Sequence, residues 1–175
     1  HPATTAGGDL NGSVDLGYSA ARFKDLYLSS GVYLGGTGAA NKLDDYEEGN
    51  FTPTVRGSST AGTATYNIAT GFYEKIGSLV HFQLYLDWAA LNGTGNLLVT
   101  GLPFSASNDL NLYTAVSSYV SGVTLTANNV AQGFLLDRNS TNITCKQAPV
   151  GGGSASAIVV DGAGTILLSG TYRSA

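Results

Sequence analysis

Leu79-Val80-His81-Phe82-Gln83-Leu84-Tyr85-Leu86-Asp87-Trp88 alternates without a break: Val80, Phe82, Leu84, Leu86 and Trp88 fall on one side, Leu79, His81, Gln83, Tyr85 and Asp87 on the other. A period of two held over this length is that of a β-strand with one buried and one wetter face. Reading outward, Gly77-Ser78 marks a turn before it, and Asn92-Gly93 with Gly95 marks one after it. Upstream, Phe51 to Arg56 reads as a first strand, with Pro53 suiting an edge or early position. Thr63 to Ala69 and Gly71 to Ile76 read as two short strands joined at Thr70-Gly71.

Downstream, Asn96 to Phe104 is a core strand closed by Pro103. Leu112 to Ser121 alternates again, with Leu112, Thr114, Val116, Ser118 and Val120 opposed to Tyr113, Ala115, Ser117 and Tyr119. Asn128-Asn129 turns into Val130 to Arg138, and Asn142 to Gln147 follows. The glycine-serine loop Pro149 to Ser156 leads to a short strand or rim at Ala157 to Asp161 and a closing strand from Thr165 to Arg173. Roughly eight to ten strands at even spacing, with no helices between them, predict an all-β fold. Its economical form is an antiparallel β-sandwich, jelly-roll-like, with a closed barrel as the alternative.

Composition agrees. The chain has 175 residues, room for one ordinary domain and a small appendage. Its 24 glycines are about twice the usual share, and charged residues, at 11%, are under half of theirs. Helical periodicity is nowhere sustained, Ser19 to Leu28 coming nearest. A net charge of −4 with eight Lys and Arg provides no basic stripe, so nucleic acid is not expected as a partner. Apolar runs fall far short of the ~20 residues of a spanning helix, so membrane insertion is not expected either. Cys145 is the single cysteine, which excludes an intrachain disulfide and reads as a buried, inert thiol. Methionine is absent even at the first position, His1, as in a piece of a longer polypeptide.

Residues 1–49 differ from the rest. Residues 1–15 are small and polar, and the next stretch sets short apolar bursts (Phe23, Leu26, Tyr27, Leu28, then Val32, Tyr33, Leu34) between glycines. No face is long enough to form a core, so this leader must lean on the body or on other copies of the chain. The expected division is a stem and linker at 1–49 and a β-sandwich head at 50–175. The acidic run Asp44, Asp45, Glu47 and Glu48 reads as the solvated joint between them, because its spacing lacks the pattern of a calcium loop.

Residues for catalysis are scarce. The histidines are His1 and His81, no Gly-x-Ser-x-Gly elbow is present, and Gly151-Gly152-Gly153 is not followed by the Lys-Ser/Thr of a phosphate loop. One usable histidine and one cysteine do not make a zinc site, and Glu74, Asp87, Asp109, Asp137 and Asp161 are not brought together by spacing. No enzyme activity, cofactor or metal is expected. Sugar binding asks for exposed rings beside amides, hydroxyls and carboxylates, and the chain has ten tyrosines. The candidate ligand-binding residues are His81, Gln83, Tyr85 and Asp87 on the outer face of the opening stretch, with Tyr113 and Tyr119 on a second face. Subunit interface is the competing use of either face, and the loops Leu91 to Asn96, Ser105 to Leu110 and Arg138 to Asn142 are further candidates.

The wording of residues 15–55, DLGYSAARFKDLYLSSGVYLGGTGAANKLDDYEEGNFTPTV, with GFYEKIGSLVHFQLYL at 71–86 and LLVTGLPF at 97–104, resembles the C-terminal part of bacteriophage tail fibre and tailspike proteins. Tyr18-Ser19 replaces a serine pair of the familiar pattern and Asn50-Phe51 replaces Thr-Trp, which loses the tryptophan as a stacking ring and leaves Phe51 a core role. The resemblance fades from about residue 105. It implies a parallel homotrimer in which a short intertwined β stem leads into β-sandwich heads. It further implies a virion location on the phage tail and adsorption to a bacterial surface polysaccharide (capsule or lipopolysaccharide). A structural trimerisation or capping role in a longer tailspike is the other implied possibility.

Overall fold

The structure is a computed structural model that describes residues 7, 12–110 and 113–175. His1 and Leu112 lie outside the described residues. The chain divides after Gly31 into two units. In the first, the backbones of Tyr18 and Ala21 exchange two hydrogen bonds of 3.0 Å in a tight reversal, where the sequence comes nearest to a helix. Leu16, Tyr18, Phe23, Leu26, Tyr27 and Leu28 are all exposed there. Short bursts between glycines have left each apolar side chain without a layer to cover it.

The second unit carries twelve strands among the described residues: β1 Val32–Tyr33, β2 Lys42–Leu43, β3 Tyr46–Phe51, β4 Thr54–Gly57, β5 Ala64–Ile76 and β6 Leu79–Leu91. These are followed by β7 Leu97–Thr100, β8 Thr114–Ser121, β9 Asn129–Leu136, β10 Ile143–Pro149, β11 Ser156–Ala157 and β12 Gly164–Arg173. β1 and β2 form a ribbon around the 3-10 turn Ala39–Asn41. Nine strands follow one antiparallel path, β3-β5-β6-β12-β8-β9-β10-β7-β4, with β11 attached to β10. The fold is all-β, as the alternation requires.

β8 makes the sheet double over. Its first half, Thr114–Val116, pairs with β9, and its second half, Ser117–Ser121, pairs with β12. One strand thus serves two layers, the device by which a sheet turns a corner. The layers share one core. Val80, Phe82, Leu86, Trp88 and Ile166 from one pack with Leu97, Val99, Phe134, Leu136, Ile143 and Cys145 from the other, all fully buried. β4, at one end of the path, meets β5, next to the other end, where the Val55 N–H donates to Tyr66 Oη at 2.8 Å.

Three local expectations are corrected. Thr70-Gly71 is no turn, because β5 runs straight through it: Gly71 lies opposite Phe51, and a Cβ on Gly71 would stand 2.5 Å from that ring. The glycine makes room for an aromatic neighbour rather than reversing the chain. Phe51 to Arg56 is two strands, β3 and β4, at opposite ends of the sheet path, separated at Thr52-Pro53. Asn96 to Phe104 shortens to β7, since Gly101, at φ +93 and with the Thr52 carbonyl oxygen 2.8 Å from where a Cβ would stand, ends the strand before Pro103 can. The Gly77-Ser78 turn is present. Gly77 has φ +58, and Ile76 and Leu79 close the hairpin, as a two-residue loop of the primed type demands.

The acidic run is exposed to solvent, as expected of it, and each of its carboxylates also has a partner in its own chain. Asp45 pairs with the buried Lys75, whose ammonium is 5.3 Å from the Phe104 ring centre. Glu47 accepts from Tyr73 Oη at 2.5 Å, Glu48 from Tyr46 Oη at 2.6 Å, and Asp44 meets Lys42 Nζ at 2.9 Å. Tyr46 to Phe51 is therefore strand, in register with Ile76 to Gly71, and it crosses the position between 49 and 50 where stem was expected to give way to head.

Candidate functional site

Cross-strand register turns the outer face of the β3-β5-β6-β12-β8 layer into rows. His81 lies between Glu74 and Thr171, Gln83 between Phe72 and Ser169, Tyr85 between Thr70 and Leu167, and Asp87 between Ile68 and Thr165. One strand further, Leu167 meets Tyr119 and Ser169 meets Ser117. On the far side Glu74 meets Glu48 and Phe72 meets Asn50. Five of the six candidate residues thus share one face. Tyr119 reaches the row of Tyr85 because the last strand of the chain, β12, inserts between β6 and β8.

Tyr113 goes elsewhere. It precedes the part of β8 that pairs with β9, and the Arg138 guanidinium stands 5.4 Å from its ring centre. One alternating segment has been shared between two layers, so its first tyrosine cannot join its last.

The side chains of the shared face are set by neighbours. His81 Nδ1 lies 3.2 Å from Thr171 Oγ1. A bulge in β5 between Tyr66 and Ile68 turns out Asn67, whose amide donates to Asp87 Oδ1 at 2.9 Å. Gln83 is exposed, while His81, Tyr85 and Asp87 are half-buried. Around them stand Tyr119 at 60% exposure, Leu79 at 54%, Ile76 at 52%, Phe72 at 40% and Leu167 at 38%. Rings and aliphatic groups therefore alternate with an amide, an imidazole, a carboxylate and hydroxyls. Such a surface can stack flat apolar ligand faces and bind their hydroxyls; it can also pack against another protein.

Sequence reasoning missed Asn67, Phe72, Leu167, Ser169 and Thr171. The alternation in β5 and β12 could have put each on an outward face. It could not have said that those faces flank β6.

The loop candidates are tied to neighbouring segments by hydrogen bonds. Thr63 N–H donates to Asn92 Oδ1 at 2.6 Å and Asn96 N–H to Ser58 Oγ at 2.9 Å, tying the 92–96 turn to its neighbour. Ala106 N–H reaches the Ser140 carbonyl at 2.9 Å and Ser107 N–H reaches that of Arg173 at 2.7 Å, joining three segments at one end. Cys145 is fully buried, and burial pushes its thiol up to about 12, which withholds the reactive thiolate.

No family model matches the chain, and no curated protein matches it. Among solved structures, the crystal structure of the Dettilon tailspike protein matches with a TM-score of 0.57 and 19% identity over 73% of this chain. The fold is similar to part of a phage tailspike. The matched region spans 24% of that protein's length, about a quarter of it.

Proposed function

We propose that this chain is a module of a virion tail fibre or tailspike that binds a bacterial surface glycan, capsule or lipopolysaccharide, as a homotrimer and without catalysis. The observation that carries the proposal is the shared outer face, where Tyr85, Tyr119 and Phe72 stand beside Gln83, Asp87 and His81 on a fold similar to a tailspike. A leader whose apolar side chains stand exposed supports assembly with further copies. Three weak sites on one rigid body would gain avidity without any one being tight. The test is a glycan array and whole-cell binding with the assembled protein. Saturable binding without release of reducing ends is expected, weakened by Tyr85→Ala or Tyr119→Ala. Silence on both assays would remove the proposal.

A second reading is favoured by Phe72, Ile76, Leu79 and Leu167, which leave the same face partly apolar. In it the face is an interface between copies, and the chain trimerises or caps a longer spike whose ligand site lies elsewhere. Leu79→Asp separates the two readings. It would break the oligomer in native mass measurement if the face is an interface, and would spare the oligomer if the face is free.

A further inference from the structure

Among the described residues, the glycines inside strands are Gly49, Gly57, Gly71, Gly133, Gly164 and Gly170. Five have an evident structural reason. A Cβ would stand 3.0 Å from Tyr73 at Gly49, 2.5 Å from Phe51 at Gly71, 2.8 Å from Trp88 at Gly164 and 3.0 Å from Phe82 at Gly170, while at Gly57 it would strike the Thr94 carbonyl at 2.3 Å. Gly133 in β9 has a different setting: it lies at a bulge, where Gly133 and Phe134 of β9 together stand opposite Cys145 of β10. The nearest atom to its missing Cβ is the Val116 carbonyl oxygen at 3.8 Å, and its φ is not positive. Glycine in a strand costs roughly 0.5–1 kcal/mol relative to alanine, and no crowding by a neighbouring side chain requires it here. The bulge glycine leaves the surface of the sheet above it open.

What Gly133 leaves open is a cavity of about 400 Å³ on the outer face of β8, β9 and β10, lined by Ala115, Gly133, Leu135, Lys146 and Ala155. That volume lies within the roughly 300–1,000 Å³ of small-molecule sites. Its floor is aliphatic and short. The lone charged group is the Lys146 ammonium, which has no hydrogen bond or ion pair among the described residues, whereas Lys24, Lys42, Lys75 and Arg173 each face a carboxylate. A free cation on an apolar depression is complementary to a ligand with one negative charge and a flat apolar face.

We propose that this groove binds a carboxylate-bearing sugar, a uronic acid unit of an acidic glycan, its C–H face on Ala115, Leu135 and Ala155 and its carboxylate on Lys146. One ammonium and no helix N-terminus suit a monoanion better than a phosphate, which gathers several donors. The inference rests on the glycan-binding reading, and adds to it a second locus and the charge class of the glycan.

The test titrates the full chain, labelled for amide NMR, with glucuronate, its uncharged methyl ester and glucose. Glucuronate should shift the amides of Ala115, Gly133, Leu135 and Lys146, the ester and glucose far less. Lys146→Gln should weaken glucuronate about tenfold, the worth of one charge-assisted hydrogen bond. Gly133→Val should abolish the shifts while leaving the melting temperature equal or higher, because its Cβ meets open space. Glucuronate shifts that are absent, lie elsewhere, or survive both substitutions overturn the groove. Array binding lost with Tyr85→Ala but kept in Gly133→Val would leave the glycan-binding reading standing while this inference falls.

Discussion

At the scale of the residue, the surplus of glycine is a packing device. Gly49 faces Tyr73, Gly71 faces Phe51, Gly164 faces Trp88 and Gly170 faces Phe82 across adjacent strands. Each ring lies over a partner without a side chain, so large aromatics fit a sheet whose strands are only ~4.8 Å apart. Gly71→Val should therefore cost about 2–3 kcal/mol by overpacking against Phe51, measured by urea unfolding; an unchanged midpoint would refute the pairing. Tyr172 provides a second prediction at this scale. Its Oη donates to the Phe104 carbonyl at 2.8 Å, and burial pushes its hydroxyl up to about 12. A folded pKa raised above the unfolded value near ~10 stabilises the fold fully below about pH 10, and that stability is lost as pH rises toward 12. Tyr172→Phe should lose about 1 kcal/mol at neutral pH and flatten the alkaline limb of the stability profile between those limits.

At the scale of the element, β12 is the strand on which both layers depend. It pairs along its whole length with β6 and over half of it with β8. Removing residues 164–175 would leave the edge of β6 open and the corner strand attached to β9 alone. The expected result is loss of the cooperative unfolding transition and aggregation through the freed edges; a soluble, cooperatively melting product would count against this role. The loop that enters β12 is held by Asp161. Burial opposes its charge, but the Thr124 side chain and backbone and the Ala163 and Gly162 N–H groups outweigh it and hold the carboxyl below its usual value. Thr124 N–H lies 2.6 Å from Oδ2. A lowered folded pKa stabilises above the unfolded value of about 3.9, and that contribution is lost as pH falls through the folded pKa. Asp161→Asn should thus be less stable than the parent at pH 6, with the difference closing below about pH 4; a gap independent of pH would show that the carboxylate is not the source.

At the scale of the whole molecule, much of the fold was legible before any coordinates. The inward set of Leu79 to Trp88 is buried throughout, and the turn at Gly77-Ser78 stands where its residues require it. The candidate site was less legible. His81, Gln83, Tyr85 and Asp87 share a face because they share a strand. That Tyr119 joins them and Tyr113 does not depends on β8 dividing its pairing between β9 and β12. If the shared face and the exposed leader serve a trimer, native mass measurement should give three copies, and binding to cells should fall by about 10²-fold or more in a monomerised variant, the size of a typical avidity gain. A monomer that binds cells equally well would argue for an independent head.

The chain by itself determined that it folds as strands and which face of the clearest of them is buried, because alternation is a local property and a side chain's direction follows from its neighbours two residues away. Only the tertiary structure decided which strands lie side by side. Pairing joins residues as distant as Leu79 and Arg173, and backbone hydrogen bonds are alike in every strand. What selects partners is the fit of one shared core and of glycines opposite rings, which exists only once the sheet has folded over on itself.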